Sequence, residues 1–155
     1  MIYVECKPDF TLVKSLTNFT KRQITHEHNK GEICNRLRKQ TNCKGLLDED
    51  PYSGQPRYVK EARLKNDLPE HDIKILHHSS ANNHLIVLCP ALEEWILRAA
   101  RESGIDVTKY NLPNNAAKLH AEINISLDKF EKLLEDLKDS SNRLKTLKRL
   151  LEAKQ

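Results

Sequence analysis

Apolar residues fall along this chain in short β-like runs separated by stretches with helical spacing. The β-branched and aromatic run at residues 2–5 predicts a buried strand. Pro8 then opens a helix with Phe10, Val13 and Leu16 on one face. Residues 23–26 predict a second, weaker strand, and Asn29, Lys30 and Gly31 a turn. Residues 32–40 predict a short helix with Ile33 and Leu37 inside, and residues 44–47 a third strand. A loop rich in proline, serine and glycine follows from Pro51 to Pro56. Residues 57–67 are expected to be helical, with Pro69 ending the helix. Residues 73–76 and 84–88 predict two more strands, the last so uniformly apolar that both of its faces should be covered.

The strongest helical pattern is residues 90–103, where Leu92, Trp95, Ile96, Ala99 and Ala100 share a face and Gly104 closes the helix. Residues 107–115 look like a loop. Beyond them, Leu127, Phe130, Leu134 and Leu137 recur at helical spacing, and Leu144, Leu147 and Leu151 resume the stripe after a break at residues 140–142. Strands alternating with helices predict an α/β fold: a mainly parallel sheet of four to five strands with helices on both faces, over residues 1–104. Residues 105–155 form a helical segment packed on that domain or on a partner. The same leucine stripe makes a homodimer a compatible assembly.

Length and composition narrow the function classes. The chain has 155 residues, enough for one real core, with 38% hydrophobic and 31% charged residues. It has no apolar run long enough to span a bilayer and no recognisable export signal, so a cytoplasmic location is expected. Its net charge of +4 permits a nucleic-acid partner without requiring one. Cys6, Cys34, Cys43 and Cys89 contain no CxxC pair and read as reduced thiols that pack as small hydrophobes. A zinc site from His26, His28, Cys34 and Cys43 fits no standard finger spacing.

The candidate chemistry lies at the strand ends. Ile2, Tyr3 and Val4 run into Glu5, and Gly45, Leu46 and Leu47 run into Asp48, Glu49 and Asp50. Bare carboxylates at buried strand ends are costly, and a hard divalent cation is the simplest compensation. Residues two apart on a strand share a face, so Asp48 and Asp50 are expected to point together and Glu49 away. Carboxyl strand ends are also where open α/β sheets place their ligands. Asp9 falls in the first turn of the following helix. There it favours the positive helix end or steadies Glu5. Glu93 and Glu94 occupy the equivalent turn of the helix at 90–103.

Two of these stretches resemble a known family. Tyr3 to Asp9, YVECKPD, is similar to the glutamate motif of TOPRIM domains, and Gly45 to Pro51, GLLDEDP, to their DxD motif. The order of the motifs and their spacing also agree. The later stretch LIVLCPALEEWIL resembles small standalone TOPRIM-like proteins related to the OLD nucleases. The resemblance covers roughly residues 1–100. It implies metal-dependent phosphodiester chemistry on DNA or RNA, with Mg2+ or Mn2+ held by Asp48 and Asp50. Glu5 would be the general acid or base, Asp9 would support it, and Glu94 (less readily Glu93) would be a further ligand. It also implies an ABC-type ATPase partner, often in anti-phage defence, since this chain has no P-loop of its own. The pattern departs at two glycines: the first motif has Cys6, and the glycine after DxD is displaced to Gly54 behind Ser53. Glycine at such points lets backbone approach a metal or phosphate closely.

Basic residues complete the picture. Between residues 21 and 44 there are seven basic and two acidic side chains, a solvated face or a phosphate-tracking one. Lys7, Arg36 and Arg38 are the candidates for flanking phosphates. Arg143, Lys145, Lys148 and Arg149 form a second basic cluster. His71, His77, His78 and His84 are candidate bases that lie beside strand ends. Two other readings compete with a nuclease: a non-catalytic TOPRIM-like binding module acting with an ATPase partner, which the lost glycines favour, and an unrelated α/β protein such as a phosphotransfer receiver. The absence of a lysine after the fifth strand counts against the receiver.

Overall fold

A computed structural model describes residues 1–155. Six strands form one mixed sheet in the order β2-β1-β3-β6-β5-β4. The strands are β1 (Ile2–Val4), β2 (Ile24–His26), β3 (Lys44–Asp48), β4 (Arg63–Leu68), β5 (Ile73–His78) and β6 (Asn83–Leu88). The first three and β6 run parallel to one another, while β5 and β4 are antiparallel additions on the β6 side. The parallel part therefore covers four strands of the six.

Alternation along the strands divides the interior into two layers. Ile2, Val4, Leu46, Ile73, Ile75, Ile86 and Leu88 face the larger layer. Tyr3, Leu47, Leu85 and Val87 face the smaller one. The smaller layer is covered by α2 (Lys30–Leu37) and α3 (Arg57–Glu61), through Ile33, Cys34, Leu37 and Tyr58. Gly45 lets α2 sit low on the sheet. A Cβ there would come within 3.2 Å of Ile33, Leu37 and Leu85 side-chain atoms.

The larger layer is covered by α1 (Lys7–Leu16), α4 (Leu92–Glu102), α5 (Ala116–Ile125), α6 (Leu127–Ser140) and α7 (Asn142–Glu152). Phe130, Leu134, Leu137, Leu144, Leu147 and Leu151 share one continuous core with Leu12, Val13, Trp95 and the sheet. The leucine stripe is thus spent inside this chain, on α1 and α4. Ser141 caps α7 by accepting a bond from the Leu144 N–H.

Two elements differ from expectation. The helix predicted over 57–67 stops after Glu61, and its second half is the edge strand β4. Cross-strand pairing with β5 outweighs the helix-compatible composition of RLKND, because β5 would otherwise carry an unpaired edge. The loop expected over 107–115 contains a single 3-10 turn, Val107–Tyr110. The basic cluster of α7 is also divided. Arg143 is buried and bonds Asp72 and Glu102, so it braces α7 against α4 and the turn before β5. Lys145, Lys148 and Arg149 remain exposed. No helix is long and apolar enough to cross a membrane.

Candidate functional site: a carboxylate cluster at the parallel strand ends

β1 and β3 are hydrogen-bonded neighbours in parallel register, Val4 opposite Leu46. Their carboxyl ends therefore deliver Glu5 and Asp48 to one edge of the sheet. Asp48 is the last residue of β3, opposite Leu88 of β6. One of its oxygens, Oδ1, accepts the Leu92 N–H at 3.0 Å and so supplies the cap that Ala91 cannot give α4. The chain leaves the strand immediately afterwards. Asp50 lies outside it, in the left-handed region at φ 47°, so the shared face of Asp48 and Asp50 is not a product of strand alternation. A tight turn brings Asp50 back: its N–H donates to the Pro90 carbonyl, and Gln55 Nε2 holds the Glu49 and Asp50 carbonyls at 2.8 and 3.1 Å. Glu49 points to the other layer, where it pairs with Lys74.

Three helix N-termini close the site. Asp9 is buried in the first turn of α1, where its Oδ2 accepts the Cys6 N–H at 3.2 Å and the Cys6 thiol at 3.1 Å. Cys6, which stands where the resembled motif has glycine, is thereby locked as the cap of α1. At α2, the Lys30 N–H donates to Glu5 Oε1 at 3.2 Å, and the Lys30 ammonium pairs with Asp50 at 3.0 Å. Glu93, nearly buried in the first turn of α4, completes the set. His120 of α5 reaches it, with Nδ1 2.6 Å from Glu93 Oε1.

The electrostatics of this edge are dominated by burial and like charge. Burial pushes the Asp48 carboxyl up to about 9, and the charges of Asp9, Glu93, Asp50 and Glu5 add to the effect. Asp48 is therefore the hub that feels all four other acids. Burial likewise raises Asp9 to about 7, against the bonds from Cys6. Glu5 is raised by burial, partly offset by Lys30. Lys30 is the one lysine drawn into the cluster, against five carboxylates. The donor set is all hard oxygen, the type that suits Mg2+ or Mn2+. No three His, Cys, Asp or Glu side chains stand around a single point as ready-made metal ligands.

The structure sorts the sequence candidates. Glu5, Asp9, Asp48 and Asp50 come together. Glu94 does not join them: it is half-exposed, whereas its neighbour Glu93 acts on both Asp9 and Asp48. The turn of α4 decides this, since residues one apart on a helix point about 100° from each other. Lys7 is exposed beside the cluster and unpaired. Arg36 is engaged by Glu27 at 2.8 Å, and Arg38 lies over the Tyr58 ring near the far edge of the sheet. His77, His78 and His84 also belong to that far edge, because β5 runs antiparallel and His84 lies near the start of β6. Cys34 and Cys43 are buried in the smaller layer and form no site with His26 and His28.

Three members were not singled out from sequence: Lys30, which reads as a turn residue, His120, and Tyr52. Tyr52 is fully exposed in the Pro51–Gly54 turn, two residues from Asp50. A large aromatic left bare in a turn next to an acid cluster is the signal that could have marked it. Compared with models of protein families, with curated proteins and with solved structures, the chain matches none.

Proposed function

We propose that the protein performs metal-dependent phosphodiester chemistry on nucleic acid, as a nuclease or as the nuclease subunit of an assembly, with a TOPRIM-like fold. The observation that carries this reading is the convergence of Glu5, Asp48 and Asp50 on one edge, in a cluster of five carboxyl groups that holds the single ammonium of Lys30. Asp48 through its free oxygen, Asp50 and Glu5 would hold Mg2+ or Mn2+, with Glu93 beside them. Such an ion neutralises phosphate charge and activates water. Burial raises the Glu5 carboxyl above the ordinary glutamate range, which favours a role in proton exchange. Lys30 orients Asp50 and Glu5 at once. Asp9 keeps the β1–α1 turn rigid through Cys6. Tyr52 offers a face on which an unpaired base could stack.

A second reading is a non-catalytic module that binds nucleic acid or an ATPase partner. The Lys30–Asp50 ion pair favours it, because that pair already satisfies one of the acids a metal would need.

Glu5→Gln separates the two. For a nuclease, manganese binding persists while cleavage of single- and double-stranded DNA and RNA falls by about a hundred- to ten-thousand-fold, the usual worth of a proton-transfer group. Cleavage by Glu5→Gln at the parental rate removes Glu5 from the mechanism. A parent that binds manganese but cleaves none of these substrates, alone or with a partner ATPase, supports the module. Tyr52→Ala should leave the melting temperature unchanged and weaken single-strand binding by about 1–3 kcal/mol, measured by fluorescence anisotropy. Unaltered single-strand affinity would show that Tyr52 stacks on nothing.

A further inference from the structure

A second polar site lies at the opposite edge of the sheet. Lys44 opens β3 and is paired in register with His84 of β6, so both side chains project on the face that carries Leu46 and Ile86. The end of α7 comes down over them. Together with Lys65 of β4, Lys154 and Gln155 they enclose a cavity of about 220 Å³. No aspartate or glutamate lines it, and none of the three lysines has a carboxylate partner.

The wall also carries the side-chain amides of Asn66 and Asn82. Lys44 is buried, and its ammonium donates to the carbonyls of Leu150, Leu151 and Ala153 at the end of α7. Its donors are therefore spent, and it brings to the cavity a charge with no counter-ion. Burial, then the charges of Lys65, His77 and Lys44, hold the His84 imidazole down at about 4, so it is neutral at ordinary pH. A neutral imidazole has one acceptor nitrogen and one N–H. Nε2 accepts from the Lys65 ammonium at 3.0 Å, which leaves the proton on Nδ1. Nδ1 faces the Gln155 amide nitrogen at 2.8 Å, a donor against a donor. Turning the amide over would satisfy His84 but strip the Cys43 carbonyl of the bond that Gln155 gives it, also at 2.8 Å. The His84–Gln155 pair thus lacks an acceptor, and no carboxylate stands within ion-pair distance of the three lysines.

We propose that this cavity binds a phosphate-class oxyanion. Several acceptor oxygens on one multiply charged group would supply the missing partner for the His84–Gln155 pair and answer the ammonium groups of Lys65 and Lys154. Lysines bind phosphate as point charges from several directions, without the planar fork that a carboxylate matches best. The phosphate has two possible sources with the same chemistry: a free anion, or the terminal phosphate of a nucleic-acid strand. The site is separate from the carboxylate cluster and does not depend on its function.

The test uses the full chain, with inorganic phosphate, pyrophosphate, and a short oligonucleotide carrying either a 5′-phosphate or a 5′-hydroxyl as probes. Binding is followed by calorimetry and by the His84 ring resonances. Phosphate or pyrophosphate should bind one per chain and move the His84 signals. Lys65→Gln and Lys154→Gln, both at exposed residues, should each weaken binding by about tenfold, the loss of one charge-assisted bond. Lys60→Gln, exposed on α3, should change nothing. Tighter binding of the 5′-phosphorylated strand than of its 5′-hydroxyl form assigns the site to strand ends; equal strand affinities with free phosphate bound assign it to a small anion. The proposal is overturned if millimolar phosphate and pyrophosphate leave His84 unmoved, or if Lys60→Gln weakens binding as much as Lys65→Gln.

Discussion

Asp48→Asn is expected to abolish divalent-ion binding and, in the absence of metal, to make the protein more stable. Both effects come from the position of Asp48 among four other acids. Its folded-state carboxyl is raised to about 9, while an unfolded aspartate titrates near about 4. The folded protein therefore binds this proton more tightly than the unfolded chain does. Stability from this group is fully present below about pH 4 and is lost progressively as pH rises through the folded value. Metal-free parent protein should thus weaken between about pH 4 and about pH 9. An amide at position 48 carries no charge, can still accept the Leu92 N–H through its oxygen, and removes the hub of the repulsion. We expect Asp48→Asn to gain about 1–3 kcal/mol over the parent at about pH 8, with the two converging at about pH 4. Urea unfolding at both pH values, with and without manganese, reads this directly. Manganese should reverse the order at high pH by stabilising only the parent, and it should bind more tightly as pH rises, since it displaces a proton. An Asn variant that is no more stable than the parent and binds manganese equally well would dismiss Asp48 as the centre of the site.

Phe130→Ala carries the second large effect. Phe130 is fully buried in α6, in the core cluster that also holds Leu12 and Val13 of α1 and Trp95 of α4. Removing the ring leaves a cavity that fixed backbone on several sides cannot collapse, at a cost of about 3–5 kcal/mol. For a chain of this size that lowers the melting temperature by on the order of 10 °C. The same result would show that residues 105–155 are part of the domain's own core: a loosely docked appendage would melt separately and leave the main transition in place. Calorimetry distinguishes one shifted transition from two.

Much of the fold is legible in local pattern. The runs before Glu5 and Asp48 read as strands because β-branched and apolar residues suit a pleated, buried surface, and 84–88 reads as a central strand because it offers no polar side to water. The leucine spacing of 127–151 likewise announces two buried helical faces. β4 is different. RLKND has no apolar alternation, and it becomes a strand only because β5 presents an edge for it to pair with. Glu94 against Glu93 is a matter of one residue of helix phase, which depends on where α4 starts: at Leu92, where the Asp48 carboxylate takes up the N–H, and not at Pro90.

The sequence by itself determined which residues could end a buried strand in a carboxylate, Glu5 and Asp48, since that information lies within five residues of each. Only the tertiary structure decided which other groups meet them. Lys30, Glu93 and His120 reach the cluster through the parallel register of β1, β3 and β6 and through the packing of α2, α4 and α5. The same register, read at its other end, sets Lys44 beside His84 beneath the end of α7. Periodicity is a property of neighbours along the chain; convergence belongs to strand order and helix packing, which bring together residues separated by tens of positions.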